Sequence, residues 1–357
     1  MQETHDAPLA EHTTMRVGGP ADRLVVAETI DEIVDTVREV DDADEPLLVL
    51  GGGSNLVVAD SGFAGTVVKI ATSGIEVESD DMCGGAMIRV AAGEVWDDVV
   101  SRAVAEGWSG IEALSGIPGS SGATPVQNVG AYGQEVSQTI ARVRVWDRGT
   151  QEVRTMTADQ CRFTYRHSLF KASSNYVVLD VTFQLRVADL SQPIAYADLA
   201  KGLGVEVGAR VPLAEARDGV LEQRRRRGMV LDAADHDTWS CGSFFTNPIM
   251  SAERFDQLAD RVRAELGDDG LTPPRFADAS GGVKTSAAWL IDKAGFGKGF
   301  GMPGPAALST KHTLAVTNRG SATAADVAAL ARQVRDGVHD RFGVTLVNEP
   351  VFVGHEL

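Results

Sequence analysis

Two glycine-rich strings carry most of the chemistry legible in this chain. The first, Gly51-Gly52-Gly53-Ser54-Asn55, follows directly on the apolar run Leu47 to Leu50. Consecutive glycines let several backbone N–H groups converge, and such a nest binds phosphate without a cationic side chain. The same string also suits an ordinary tight turn. In the dinucleotide fingerprint a helix follows and takes the pyrophosphate on its N-terminus, whereas Leu56-Val57-Val58 reads as strand or irregular chain, which excludes that fold. The second string, Leu114 to Glu135, alternates Gly116, Gly119, Gly122, Gly130 and Gly133 with Pro118, Pro125 and polar Ser115, Ser120, Gln127 and Asn128. A loop this long without periodicity either wraps a ligand or is an irregular connection. Its small residues let a flat ring or a pyrophosphate reach the backbone, and Gln127 and Asn128 can hydrogen-bond heteroatoms.

Composition narrows the classes. The 357 residues suggest two or three folding units. A formal net charge of −17 repels a phosphate backbone, so nucleic acid is not an expected partner. Apolar residues at 43% and charged residues at 23% argue against disorder. The N-terminus has neither a basic region nor an apolar one, and no uncharged apolar run reaches ~18 residues. A soluble cytoplasmic protein, a monomer without a membrane partner, is the expectation. Cys83, Cys161 and Cys241 match neither a disulfide framework nor a metal pair and are read as reduced, mostly buried thiols. The seven histidines include no HExxH and no pair at helical spacing, so no metal is expected.

The elements that must position these strings follow from periodicity. Ile30, Ile33, Val34, Val37 and Val40 recur at three- and four-residue steps and predict an amphipathic helix over 29–40. Strands are expected at 47–50, 67–70 and 88–91, and a helix over 95–104 that ends at Gly107. Strand-like alternation dominates 141–187 and predicts an antiparallel α+β region. The polar stretch around Arg224–Arg227 and 232–237 marks a boundary. Beyond it come helices at 286–294 and 323–339 and a closing strand over 344–353.

The two glycine loops, together with TMRVGGPAD at 14–22, YRHSLFK at 165–171, GSFFTNP at 242–248, AAWLIDKAGFGKGFGM at 287–302 and NEPVFVG at 348–354, resemble the UDP-N-acetylenolpyruvoylglucosamine reductase family. The matches span nearly the whole chain in family order. The resemblance implies an α+β fold: a two-part FAD-binding domain of the PCMH, vanillyl-alcohol-oxidase-like type and a C-terminal α/β substrate-binding domain. On that basis residues 1–70 are the first part of the FAD domain, 71–228 with 345–357 its second part, and 229–344 the substrate domain.

The resemblance further implies noncovalent FAD, NADPH as co-substrate, and reduction of UDP-N-acetylglucosamine enolpyruvate to UDP-N-acetylmuramate, a peptidoglycan precursor. FAD would be held by Gly51, Gly52, Gly53, Ser54, Asn55, Ser115, Gly116, Pro118, Gly119, Gly122, Gln127, Asn128 and Gly130. Ser243 matches the family's proton donor, although a serine before a Phe-Phe pair is also a plain turn residue. Arg166 matches the arginine that meets the substrate carboxylate, with a strand-end salt bridge as the ordinary reading. Glu349, otherwise a solvated late glutamate, matches the carboxyl group beside that arginine; holding its proton would let it donate to an enolate. Tyr196 matches a tyrosine on a loop that covers the nucleotide-sugar in one subclass, and Asn247 and Arg227 are candidate contacts to uridine diphosphate. Most of the four-arginine run is expected to be a solvated face, and His167 a packed or solvated histidine. A flavin oxidase of the same fold and a non-catalytic UDP-sugar-binding relative are the alternatives.

Overall fold

The computed structural model describes residues 1–267, 271–278 and 281–357. The chain divides into two compact units. The first comprises residues 1–7, 20–53 and 63–230, and the second 8–19, 54–62 and 231–357.

The first unit begins with β1 (Gln2–Pro8), β2 (Pro20–Ala27) and α1 (Ile30–Asp42), followed by β3 (Leu47–Leu50) and β5 (Phe63–Ile70). These strands form a sheet in the order β1-β2-β5-β3, with β2 and β3 both parallel to β5. α1 starts on a capping box in which Thr29 and Glu32 exchange side-chain and backbone hydrogen bonds. It buries Ile33, Val34, Val37 and Val40, the stripe its periodicity predicts. A second, mostly antiparallel sheet contains β6 (Ile75–Asp81), β7 (Gly85–Ala91), β11 (Ile140–Asp147), β12 (Glu152–Thr157) and β13 (Tyr176–Val187), in the order β12-β11-β13-β7-β6. The two-residue strand β8 (Trp108–Ser109) joins β13. α2 (Trp96–Ala105) buries Trp96, Val99, Val100 and Ala103 in a core shared with both sheets, and ends before Gly107 at φ +74°. Two helices were not foreseen in this unit's last stretch: α4 (Ala197–Leu203) and α5 (Leu213–Arg226). The arginine run expected to mark a boundary is the final turn of α5, where cations complement the helix dipole. The short hairpin β9 (Gly130–Ala131) and β10 (Gln134–Glu135) and the single-turn α3 (Leu169–Ala172) complete the unit.

The second unit is built around α8 (Ala324–Phe342), whose Val327, Leu330, Val334 and Val338 face a core that includes Phe244, Phe245, Leu290 and Ile291. α6 (Ala252–Leu266), α7 (Ala287–Lys293) and the hairpin β17 (Ala306–Leu308) and β18 (Val316–Asn318) pack around it. β14 (Ile249–Met250), β15 (Phe276–Ala277) and β16 (Val283–Lys284) form a small sheet. β4 (Leu56–Val58) pairs in parallel with β19 (Val351–Val353). The expected closing strand is therefore shorter than predicted: Pro350 cannot donate to a ladder, and residues 344–350 hold only an isolated bridge at Asn348. The pairing of β4 with β19, and the burial of Met15, Val17 and Val57 with Phe244, draw 8–19, 54–62 and 345–357 into this unit rather than into the groupings the sequence suggested.

No described helix is long and apolar enough to cross a membrane. Cys83 is exposed, while Cys161 and Cys241 are buried and their thiols are pushed up to about 12 by burial. A thiol whose folded pKa lies above its unfolded value near 9 binds its proton more tightly in the folded state. Its contribution is complete below pH 9 and is lost as pH rises from about 9 toward 12. Unfolding free energy should fall over that window and fall less in Cys161→Ala than in the parent; identical slopes in the two would contradict this account.

Candidate active site

In the first unit the two glycine strings meet. A Cβ on Gly52 would lie 2.6 Å from the Gly119 Cα, and one on Gly51 would strike the Ser120 hydroxyl. Gly122 backs onto Ala92 just as closely. Gly53 and Gly119 hold φ of +62° and +126°, which side chains resist. The result is two stretches of backbone pressed together without intervening side chains. Near them lie Ser121 Oγ, within the second string, and Arg224 Nε, two buried polar atoms without a hydrogen-bond partner among the described residues. Arg224 Nε sits 3.4 Å from where a Cβ on Gly116 would be. Burial pushes this guanidinium down to about 10, so it stays charged at neutral pH.

The polar members of the second string are engaged in the framework. The Ser115 hydroxyl donates to the Glu112 carbonyl at 2.7 Å. Asn128 is buried at φ +48°. Its Nδ2 donates to Glu135 Oε2 at 2.9 Å and to the Thr164 carbonyl at 3.1 Å, and its Oδ1 accepts from the Ser137 N–H at 3.2 Å. The carboxamide thus locks the loop, and a ligand would meet its backbone rather than its side chain. Gln127 is half-buried, as are Pro118 and Gly130.

Arg166 lies in a tight turn closed by reciprocal backbone bonds between Thr164 and His167, of 3.0 and 3.1 Å. It adopts φ +54°, a region that favours glycine or asparagine. Its guanidinium donates to the carbonyls of Gly130 at 2.6 Å and Asn128 at 3.4 Å. A Cβ at Gly130 would approach Arg166 Nη1 to 2.9 Å, which accounts for glycine there. Next along the chain, Tyr132 and Gly133 form the two-residue turn of the β9–β10 hairpin with φ of +49° and +91°. Positive φ at both positions fits a type I′ turn, and a tyrosine held left-handed is strained. Tyr196, at the head of α4 and 52% exposed, packs edge-on against Tyr132 with ring centroids 6.0 Å apart. Burial raises the Tyr132 phenol, opposed by nearby Arg224 and Arg227. Arg227, just past the end of α5, ion-pairs with Asp198 at 2.8 Å and hydrogen-bonds Tyr132.

The sequence reading missed Tyr132 and Arg224. The signal for Arg224 was available: it continues the Ala216–Val220 row of buried α5 positions by one further four-residue step.

In the second unit, Ser243 and Glu349 are drawn together through their backbones. The Glu349 N–H donates to the Phe244 carbonyl at 2.9 Å, and the Thr246 N–H to the Val347 carbonyl at 2.9 Å, around an antiparallel bridge of Phe245 with Asn348. Asn55 Nδ2 donates to the Glu349 carbonyl at 3.2 Å, and the Asn55 carbonyl accepts from Val351 at 2.9 Å. Asn55 therefore holds the chain on the C-terminal side of Glu349, at the Glu349 carbonyl and the Val351 N–H, a role its place beside a phosphate-type nest did not suggest. Ser54 precedes it in the same unit, half-buried. Ser243 is half-buried, and no hydrogen bond to its hydroxyl occurs among the described residues. Asn247 Oδ1 caps the first N–H of α7, from Ala287 at 3.0 Å, which leaves its amide nitrogen for any ligand. No group of His, Cys, Asp or Glu among the described residues is arranged to hold a metal.

The Gly52–Gly119 apposition gives a direct test. Gly52→Ala should cost about 1–3 kcal/mol through overpacking, measured by denaturant unfolding; parental stability would show that the loops part freely.

Two family models match the chain. One described as an FAD binding domain covers residues 21–157, and one described as the C-terminal domain of UDP-N-acetylenolpyruvoylglucosamine reductase covers 234–353. The chain is 58% identical to the UDP-N-acetylenolpyruvoylglucosamine reductase of Streptomyces avermitilis, over 100% of this chain and 96% of that protein. It is 57% identical to that of Thermobifida fusca, over 98% of this chain and 97% of the other. The crystal structure of the Thermus caldophilus reductase superposes with a TM-score of 0.64 at 25% identity, covering 99% of this chain and 98% of that one. With these matches running from end to end, the α+β expectation of an FAD-binding part followed by a reductase C-terminal part holds, and the chain belongs to the UDP-N-acetylenolpyruvoylglucosamine reductase family.

Proposed function

We propose that Ser243, Arg166 and Glu349 carry out in this chain the reaction of its family. That reaction is the NADPH-dependent reduction of UDP-N-acetylglucosamine enolpyruvate to UDP-N-acetylmuramate in peptidoglycan precursor synthesis. The chemistry that bound FAD would supply is the passage of hydride from NADPH to the substrate's vinyl group. The chain has features that suit such a group: bare backbone at Gly51–Gly53 against Gly119–Ser120, and Ser121 Oγ and Arg224 Nε, without partners among the described residues. Gly51, Gly52, Gly53, Ser115, Gly116, Pro118, Gly119, Gly122, Gln127 and Gly130 would hold it, mostly through backbone N–H groups.

Addition of hydride at the vinyl terminus leaves negative charge on the carbon that bears the ether oxygen and the carboxylate. Ser243 answers that charge by giving its hydroxyl proton to this carbon, and the alkoxide regains a proton from solvent. A hydroxyl is a weak acid, but an enolate is a strong base, so a correctly placed transfer runs downhill. Arg166, fixed by the Gly130 and Asn128 carbonyls, supplies the positive charge for the carboxylate over which the enolate spreads. Glu349, in its protonated form, would donate a hydrogen bond to the same developing charge, since an ionised carboxylate would repel it. Tyr196, Arg227 and the amide nitrogen of Asn247 are assigned to the nucleotide-sugar. A cytoplasmic monomer is the setting this reading implies.

The observation that carries the assignment is the pairing of residues 244–246 with 347–349, which joins GSFF to NEP although they stand about a hundred positions apart in the chain. Its test separates the two halves of the reaction without oxygen. Ser243→Ala should bleach with NADPH at the parental rate, yet recover its yellow colour on addition of the enolpyruvyl sugar ~10²–10⁴ times more slowly. Rapid recovery would remove Ser243 from the role of proton donor.

A further inference from the structure

Thr14 lies 226 residues from the Ser243 loop in sequence, yet its buried hydroxyl donates to the Ser240 carbonyl at 2.7 Å. The loop from Trp239 to Phe244 is pinned at both ends. The Asn318 N–H donates to the Trp239 carbonyl at 3.0 Å, and Ser240 bridges Thr317. At the far end, the Phe244 N–H donates to the Leu314 carbonyl at 2.8 Å. Between these pins the chain turns sharply. Gly242 holds φ +73°, and its N–H donates to Ser240 Oγ at 3.1 Å. The orientation of the Ser240–Cys241 peptide therefore sets where the turn throws Ser243, and the Thr14 hydroxyl fixes that orientation from the carbonyl side. Without it a buried carbonyl would lose its partner, and the peptide would be free to rotate toward another.

The segment that carries Thr14 is itself held to the same loop. Asn318 Nδ2 donates to the carbonyls of Met15 at 3.1 Å and Arg16 at 3.2 Å, while its Oδ1 accepts from the Gly320 and Ala322 N–H groups. Arg16, at φ +55°, stacks its guanidinium 3.9 Å from the centre of the Trp239 ring. Two independent contacts, a hydroxyl on Ser240 and a guanidinium on Trp239, thus run from one short N-terminal stretch to the residues just before Ser243.

We propose that Thr14 is a positioning residue for the Ser243 hydroxyl, acting through the Ser240 carbonyl and not on the substrate. The inference rests on the reading of Ser243 as proton donor. Proton transfer to carbon is sensitive to placement, whereas the reduction of bound FAD by NADPH makes no use of Ser243. Loss of the Thr14 hydroxyl should therefore divide the two half-reactions, which general loosening of the core would not do.

Thr14→Val, nearly equal in volume, should bleach with NADPH at the parental rate and keep the parental visible spectrum. Its recovery with the enolpyruvyl sugar should be roughly tenfold slower, and Thr14→Ser should restore recovery to within about twofold. In a Ser243→Ala background Thr14→Val should add nothing, because there is no hydroxyl left to position. Parental recovery in Thr14→Val, or equal slowing of both halves without rescue by serine, overturns the proposal. If Thr14→Val does not yield folded flavoprotein, Arg16→Met removes the stacked guanidinium from the same segment and should give the same split; unchanged recovery there overturns it equally. Fast recovery in Ser243→Ala alone would defeat the donor reading itself, and slow recovery there beside fast recovery in Thr14→Val would defeat only the bracing.

Discussion

The hydrogen bond from the Glu349 N–H to the Phe244 carbonyl is the constraint on which the chemistry proposed for the second unit depends. It is short-range in space and very long-range in sequence, so its loop-closure cost must be met by packing elsewhere. Phe244 and Phe245 provide that packing: both are fully buried, edge-on to each other with ring centroids 5.3 Å apart, and set against α8 and α7 in the second core. Asn55 then closes the arrangement by holding the Glu349 carbonyl and accepting from Val351. The aromatic pair is the foundation, the backbone bond the link, and the asparagine the clasp.

The first unit solves a different problem. Under the proposed function it would present backbone to a large, flat, charged molecule without losing its own core. The solution is glycine against glycine, with every Cβ that would intervene removed at 51, 52 and 122. What keeps such a bare loop from collapsing is the Asn128 carboxamide, which joins Glu135, Ser137 and Thr164 and so ties the second glycine string to the turn that carries Arg166. Left-handed Asn128, Tyr132 and Arg166 show that this region is strained, and strain of this kind persists where surrounding contacts over-determine it.

The sequence was most legible where periodicity is strong. The stripes of α1, α2 and α8 placed most of their buried residues because one face of each meets an apolar core, although Val95 at the head of α2 is exposed and Ile30 and Val104 are only half-buried. α5 escaped notice because arginines mask its apolar row, although Val220 and Leu221 are buried within it. The strings assigned to the proposed site were legible as strings, through glycine spacing and family resemblance. What each polar side chain does was not. Asn55, Asn128 and Asn247 are hydrogen-bonding residues in loops, and their type promises a partner without saying which; the fold gives them Glu349, Thr164 and Ala287. Tertiary partners at such separations leave no local trace in the chain.

The roles proposed for Ser243 and Glu349 put both at one reacting carbon, joined through the backbone bond between Glu349 and Phe244, the neighbour of Ser243. The measurement that reaches this most directly is a double-mutant cycle of Ser243→Ala and Glu349→Gln on the rate at which substrate restores the colour of the NADPH-bleached enzyme. Groups that act as a unit lose far less together than the product of their separate losses. The account predicts that the double variant recovers nearly as fast as the slower single one; losses that multiply would show two independent groups and contradict it.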